Sequence, residues 1–384
     1  MKELHCFTED SVTRSPTGTG VLNGLSFAVK DLCAIKGHIS SFGHPQWRKT
    51  HSPAKKDSSI VETLLLEGSR LVGTTKMDQL AYSIIGNIGE GTAPVNSKYP
   101  ERFCGGSSSG SASAVAAGVV DFAVGSDTWG SIRIPAAACG IYGIRTTYDL
   151  IPKDGVIELD NSADVLGFFA RSADMLKRVT AIFRDSTHSN IKFKKLLIPS
   201  NLPDYTDLAA EALKNEAFRL AKKYSLVIEE VDISKFVSKE VKDILARNQS
   251  REIWKAHGEW IEENKSYLDD DVQARLDKCK RLSGDDEAVV QKDKNAYTQY
   301  GKDLQKFIGQ DSVLCLPILP VSGPNRSWSN EELLNFRSKT FMLIAPASIS
   351  GLPQVSAPVM GTSTNIGLIG PKYSDVQLID LLCK

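Results

Sequence analysis

Two stretches of the chain carry residues able to break a resonance-stabilised carbonyl bond. In Gly125–Gly140, GSDTWGSIRIPAAACG, Ser131 follows a tight turn and precedes an apolar, alanine-rich run that reads as a helix. Successive backbone N–H groups at a helix start hold an anion, so an oxyanion formed on Ser131 would sit among donors. Asp127 and Arg133 flank the turn and can brace it as an ion pair. Lys30 ends the apolar run Leu25-Ser26-Phe27-Ala28-Val29. Burial favours the neutral form of a lysine, and a neutral amine can accept a proton. Nucleophile, proton shuttle and oxyanion donors are what amide hydrolysis requires. Taken singly, each has an ordinary explanation: a helix N-cap for Ser131, an ion pair with Asp31 for Lys30.

Other candidates are weaker. Gly106-Ser107-Ser108-Ser109-Gly110 fits a G-x-S-x-G elbow centred on Ser108. The preceding YPERFCG is a poor strand, however, and the last histidine, His257, lies in a charged helical region. A phosphate loop would need lysine where Ser111 stands. Gly18 and Gly20 open no dinucleotide fingerprint. His38, His44 and His51 lack the spacing of metal ligands, and Asp269–Asp271 lacks that of a calcium loop.

Stepping from these residues to the elements that carry them, the chain alternates strands and helices, which argues for an α/β fold. Strands are expected at Leu25–Val29, Arg70–Thr74, Val119–Val124, in KFKKLLI and in SLVIEEV. A helix is expected over Asp57–Gly68, with a Ser59/Glu62 capping box, Ile60, Val61, Leu64 and Leu65 on one face, and Gly68 as its stop. Short and longer helices are expected at Asp78–Ile85 and near residues 206–223. The expected organisation is a single domain over 1–384, with a core of about 20–190 and 310–384 and a helical lobe of about 205–310. The final segment reads as strands, Gly and Pro.

Composition limits the partners. The 384 residues hold 46 Lys+Arg and 46 Asp+Glu, so nothing favours nucleic acid or an anionic membrane. The seven cysteines are scattered without a CxxC pair, which fits reduced thiols. Lys2, Glu3, Glu9 and Asp10 interrupt any apolar leader, and Phe341–Ala347 is too short to span a bilayer. A cytoplasmic location is expected, with a homodimer allowed for.

FAVKD (27–31), GGSSSGSASAVAAG (105–118) and GSDTWGSIRIPAAACGIYGIR (125–145) together resemble the amidase-signature family. THSPA, MDQLAYSIIGN and SISGLPQVSAP resemble its small plant members that hydrolyse indole-3-acetamide. The resemblance implies a mixed β-sheet between helices and a Ser-Ser-Lys triad. Ser131 would be the nucleophile, Ser107 the bridging serine on a cis peptide, and Lys30 the base. It implies an oxyanion hole of the Thr128, Trp129, Gly130 and Ser131 amides, a small-molecule amide substrate, and no metal or cofactor. Two positions depart from the family pattern: Trp129 stands where glycine is usual and Thr146 where proline is usual. Trp129 is expected either to wall the acyl pocket or to pack beneath the turn, and a positive φ there would strain it. Trp254, His257 and Trp260 are candidates to wall the acyl site or to form a packed helix face. The family also implies two other roles: a catalytically silent binding module and an ammonia-delivering amidotransferase subunit.

Overall fold

The computed structural model describes residues 4–184, 191–202 and 207–383. Lys2 and Glu3 of the leader reading, and residue 206 at one expected helix start, lie outside them. In chain order the strands are β1 (Ser26–Lys30), β2 (Arg70–Thr75), β3 (Phe122–Asp127), β4 (Tyr142–Arg145), β5 (Val165–Ala170), β6 (Lys195–Pro199), β7 (Val227–Val231), β8 (Ser312–Pro317), β9 (Gln354–Pro358) and β10 (Asn365–Ile369). They form one mixed sheet, ordered β2-β1-β3-β5-β4-β9-β10-β8-β6-β7. Pairing is parallel at the two ends, among β2, β1 and β3 and among β8, β6 and β7. It is antiparallel through the middle. β3, β5 and β8 are buried along their whole length, as continuous apolar or small-residue strands should be.

Eleven helices flank the sheet among the described residues: α1 (Pro45–Thr50), α2 (Ser59–Leu66), α3 (Ser109–Ala116), α4 (Arg133–Ala138), α5 (Ala173–Thr180), α6 (Asp207–Tyr224), α7 (Lys239–Asn264), α8 (Asp270–Ser283), α9 (Glu287–Ile308), α10 (Asn330–Ser350) and α11 (Asp375–Asp380). α2 buries Ile60, Val61, Leu64 and Leu65 as its pattern requires. The expected capping box does not form, because the N-cap is Ser58 and Ser59 Oγ turns to the Pro152 carbonyl at 3.4 Å. Asp78–Ile85 is no α-helix either. Only a 3-10 turn at Gln79–Ala81 forms, with Leu80 and Ala81 at φ 51° and 55°. The chain folds back there because Asp78 N–H donates to the Ser107 carbonyl and Leu80 N–H to the Phe42 carbonyl.

α7, α8, α9 and α10 pack on one another over the sheet. Arg251 and Arg247 of α7 both grip Asp293 of α9, at 2.8 and 2.7 Å. β7 falls within the range read as helical lobe, yet it pairs with β6 at the sheet edge. α10 was not legible in a segment read as strands, Gly and Pro. It starts at a Ser329/Glu332 capping box and stops at Gly351, φ 66°. All seven cysteines are free thiols. No helix among the described residues is long and apolar enough to cross a membrane.

Candidate active site

Lys30 closes β1 with no exposed surface. Its Nζ lies 2.7 Å from Ser107 Oγ and 2.8 Å from Ser126 Oγ. It makes no ion pair with Asp31, whose carboxylate instead faces His38 Nε2 at 2.8 Å and Ser41 Oγ at 2.6 Å. Burial pulls the Lys30 ammonium from its ordinary 10.5 down to about 7, against the charges of Asp78, Asp164 and Asp127. A lysine so placed is largely uncharged just above neutral pH.

Ser107 follows the cis Gly106–Ser107 peptide at the entry to α3. A Cβ on Gly106 would stand 1.9 Å from Asp78 Oδ2, so no side chain fits there. Asp78 accepts from the amides of Gly86 (3.1 Å) and Ile88 (3.4 Å) beneath this loop. Burial raises its carboxyl to about 6, against those amides and Lys30. Neither Asp78 nor Ser126 was singled out from the sequence. A serine directly before Asp127 on a buried strand was the available signal for Ser126. Ser108, the centre of the G-x-S-x-G match, is buried and donates to the Ser126 carbonyl at 3.3 Å.

Asp127 ends β3 and organises the turn that follows. Its carboxylate accepts from the Gly130 (2.9 Å), Ile132 (3.2 Å) and Arg133 (3.3 Å) amides. Arg133 adds Nη2 at 2.8 Å and Nε at 3.0 Å, and Arg145 adds Nη1 at 3.1 Å. Burial alone would raise this carboxyl, but the two guanidiniums and the Gly130 amide hold it well below the usual carboxylate range. Arg145 is a partner that the sequence reading did not find.

The amides expected to form the oxyanion hole differ in their partners. Gly130 N–H is spent on Asp127, whereas no acceptor among the described residues takes the amides of Trp129 or Ser131. Thr128 is fixed by its hydroxyl, which donates to Asp164. Gly130 adopts φ 89°, and a Cβ there would meet Ile344 Cδ1 at 2.5 Å. Trp129, one residue earlier, has no such φ, so the backbone strain weighed for it is absent.

Ser131 is 5 % exposed and faces a cavity of about 300 Å³, the size of a small ligand. No hydrogen bond joins its hydroxyl to that of Ser107. The two serine segments are tied through the backbone, Ser108 N–H donating to the Ser131 carbonyl at 3.3 Å. Lys30 and Ser107 are thus in direct contact, while Ser131 lines the cavity.

Comparison with known proteins bears on this arrangement. The family model described as Amidase matches residues 9–221. The chain belongs to the amidase family. Amidase 1 of Oryza sativa subsp. japonica is 32 % identical over 94 % of this chain and 89 % of its own length. The translocon at the outer membrane of chloroplasts 64 of Pisum sativum is 29 % identical over 96 % of this chain and 66 % of its own. A solved amidase superposes with a TM-score of 0.81 at 24 % identity, over 95 % of this chain and 84 % of the other, which establishes the shared fold.

Within this amidase-family fold, both readings of Trp129 describe part of its position. The indole packs with Ile84, Ile134 and Ile344, and it also lines the cavity, its ring 4.5 Å from that of Phe341. Trp254, His257 and Trp260 do not line this cavity. His257 meets the Glu158 carbonyl at 2.6 Å, Trp260 donates to Thr50 Oγ1 at 2.8 Å, and both rings pack on Trp47. They are a packed helix face. The cavity is walled instead by other residues of α7 and by α8 and α10.

Proposed function

We propose that this chain hydrolyses a small carboxylic amide to the acid plus ammonia or an amine, through an acyl-enzyme on Ser131. The observation that carries the reading is a buried lysine, pulled down to about 7, within hydrogen-bond reach of Ser107, on a backbone segment tied to that of Ser131, which faces the cavity. Neutral Lys30 takes the Ser107 proton as Ser107 takes that of Ser131. The contact between the two serines closes only when substrate settles, as catalytic hydrogen bonds often do. Ser131 Oγ attacks the carbonyl, and the oxyanion rests on the free amides of the Thr128–Ser131 turn. The proton returns through Ser107 to the leaving nitrogen, the C–N bond breaks, and water repeats the path to release the acid. Lys30, Ser107 and Ser131 supply the whole proton circuit. Balanced charge and free thiols support a cytoplasmic location.

Ammonia release from a panel of primary amides, wild type against Ser131→Ala, tests this. Release that disappears in the variant supports the reading. A folded wild type that releases none would move the assignment to a binding role. That second reading has the likeness to the pea translocon component in its favour.

A further inference from the structure

The cavity in front of Ser131 holds polar groups without a hydrogen-bond partner among the described residues. Four cations line it: Lys242 of α7, Arg275 and Lys278 of α8, and Arg337 of α10. Two acids oppose them, and each is already engaged. Asp271 pairs with Arg275, and Asp243 pairs with Lys239 at 2.5 Å and Lys242 at 3.8 Å. Arg275 is further held by the Tyr82 carbonyl at 2.9 Å, and Lys242 by Ser338 Oγ at 3.1 Å.

Arg337 has no such partner. Its guanidinium makes no hydrogen bond and no ion pair among the described residues, and its Cζ lies 5.2 Å from the centroid of the Phe341 ring. Withdrawal from water and the like charge of Arg275 pull it down to about 10, against the longer-range influence of Tyr82, Asp271 and Asp78. Gln249 lines the same cavity at 5 % exposure, and its side-chain amide has no hydrogen-bond partner among the described residues. Arg337 is half-buried and Gln249 buried, and two polar side chains that face one cavity without a partner mark where a ligand can complete them. An arginine fork asks for a planar anion, and an amide beside it adds a further donor. Trp129 and Phe341 supply a flat apolar wall to the same cavity.

We infer that the preferred substrate is an amide whose acyl part ends in a carboxylate, held by Arg337 with Gln249 while the carbonyl to be cleaved lies at Ser131. This rests on the amidase reading of Ser131 and adds the chemical class of the acyl group. A neutral aryl or alkyl amide fills the apolar wall but leaves the guanidinium unmatched. Asp271 is engaged by Arg275 through their ion pair.

The test is a graded series: succinamic, glutaramic and adipamic acids and 4-carboxyphenylacetamide. Each is compared with the same amide ending in a neutral group, a methyl ketone for the aliphatic members and a nitro group for the aryl one. The readout is the ratio of kcat/KM, carboxylate over neutral, within each enzyme form, so a partly unfolded variant does not distort it. For the best-fitting member the wild-type ratio should be about 30 or more, the range seen when one partner of a desolvated charge pair is removed. Arg337→Gln should lower that ratio at least about tenfold, and Arg337→Lys should keep part of it. A ratio at or below one throughout the series, or the same ratio in Arg337→Gln, overturns the inference while leaving the amidase reading standing. Calorimetric binding of the matching dicarboxylate to Ser131→Ala, with and without Arg337→Gln, covers the converse case. If no amide turns over but the dicarboxylate binds through Arg337, the hydrolase reading fails and the anion site stands. If it does not bind, the site fails independently of turnover.

Discussion

Lys30 Nζ lies 2.7 Å from Ser107 Oγ, and neither residue has exposed surface. A buried amine beside a buried hydroxyl has two uses: it can fix the loop as a donor, or accept a proton when neutral. Lys30→Met separates them, because it fills similar space without the nitrogen. A proton acceptor contributes about 10²–10⁴-fold to such reactions. Turnover of the preferred amide should therefore fall by about that factor while the protein remains folded by circular dichroism. A loss below about tenfold would assign Lys30 to structure alone.

The depressed Lys30 value sets the direction of the pH dependence. Below about 7 the amine is protonated and cannot accept; above it the neutral form predominates. Under chemistry-limited conditions kcat/KM should climb from pH 6 and level off by about pH 8, one proton being lost. A flat profile from pH 6 to 9 would remove Lys30 as the base. The same shift bears on stability. Between about 7 and 10.5 the unfolded chain binds the proton that the folded chain has released, so this group's contribution to stability rises with pH across that window. Urea midpoints at pH 7.5 and 9.5, wild type against Lys30→Met, measure it: the wild type should gain stability relative to the variant.

The reach of the sequence ended where long-range folding decided a residue's role. Lys30 was legible because a charged residue at the end of an apolar run has few other places to go. Asp127 and Arg133 were legible because six residues and one turn separate them. Asp78 was not: its importance comes from a segment that turns back under Ser107 through left-handed Leu80 and Ala81, where local pattern pointed to a helix. α10 was hidden because its second half is buried all round and contains Pro346, which erases the amphipathic stripe. Arg337 was one charge among many, and its place on the cavity follows from the packing of α10 against α7.

Asp127 is a test of the turn as distinct from the chemistry. Asp127→Asn keeps the shape but leaves Arg133 and Arg145, both fully buried, without their common counter-charge. Breaking a buried ion pair from one side costs about 3–5 kcal/mol. The urea midpoint should shift by a corresponding amount at pH 7. In wild type the contribution persists well into acid, because the folded carboxyl titrates below the usual range and the unfolded one near the ordinary 3.8. A change under about 1 kcal/mol would mean that the two arginines find other acceptors. The candidates are the Ile344 carbonyl and Gln354 Oε1, which already meet Arg133.

Trp129 decides between packing and selection because it does both in one side chain. Trp129→Gly removes an indole that is 7 % exposed, and truncating a buried tryptophan costs about 3–5 kcal/mol of stability. The backbone N–H that the proposed oxyanion hole uses survives the change. Chemistry on a small amide should therefore persist at temperatures where the variant is folded, while the cavity widens on the Phe341 side. Relative kcat/KM should shift toward amides with bulkier acyl groups, read as the ratio of a branched or bicyclic acyl amide to acetamide in each enzyme form. If stability drops but this ratio does not move, Trp129 is core that happens to border the cavity. If the ratio rises, the residue that replaces the usual glycine is what sets the size of the acyl group.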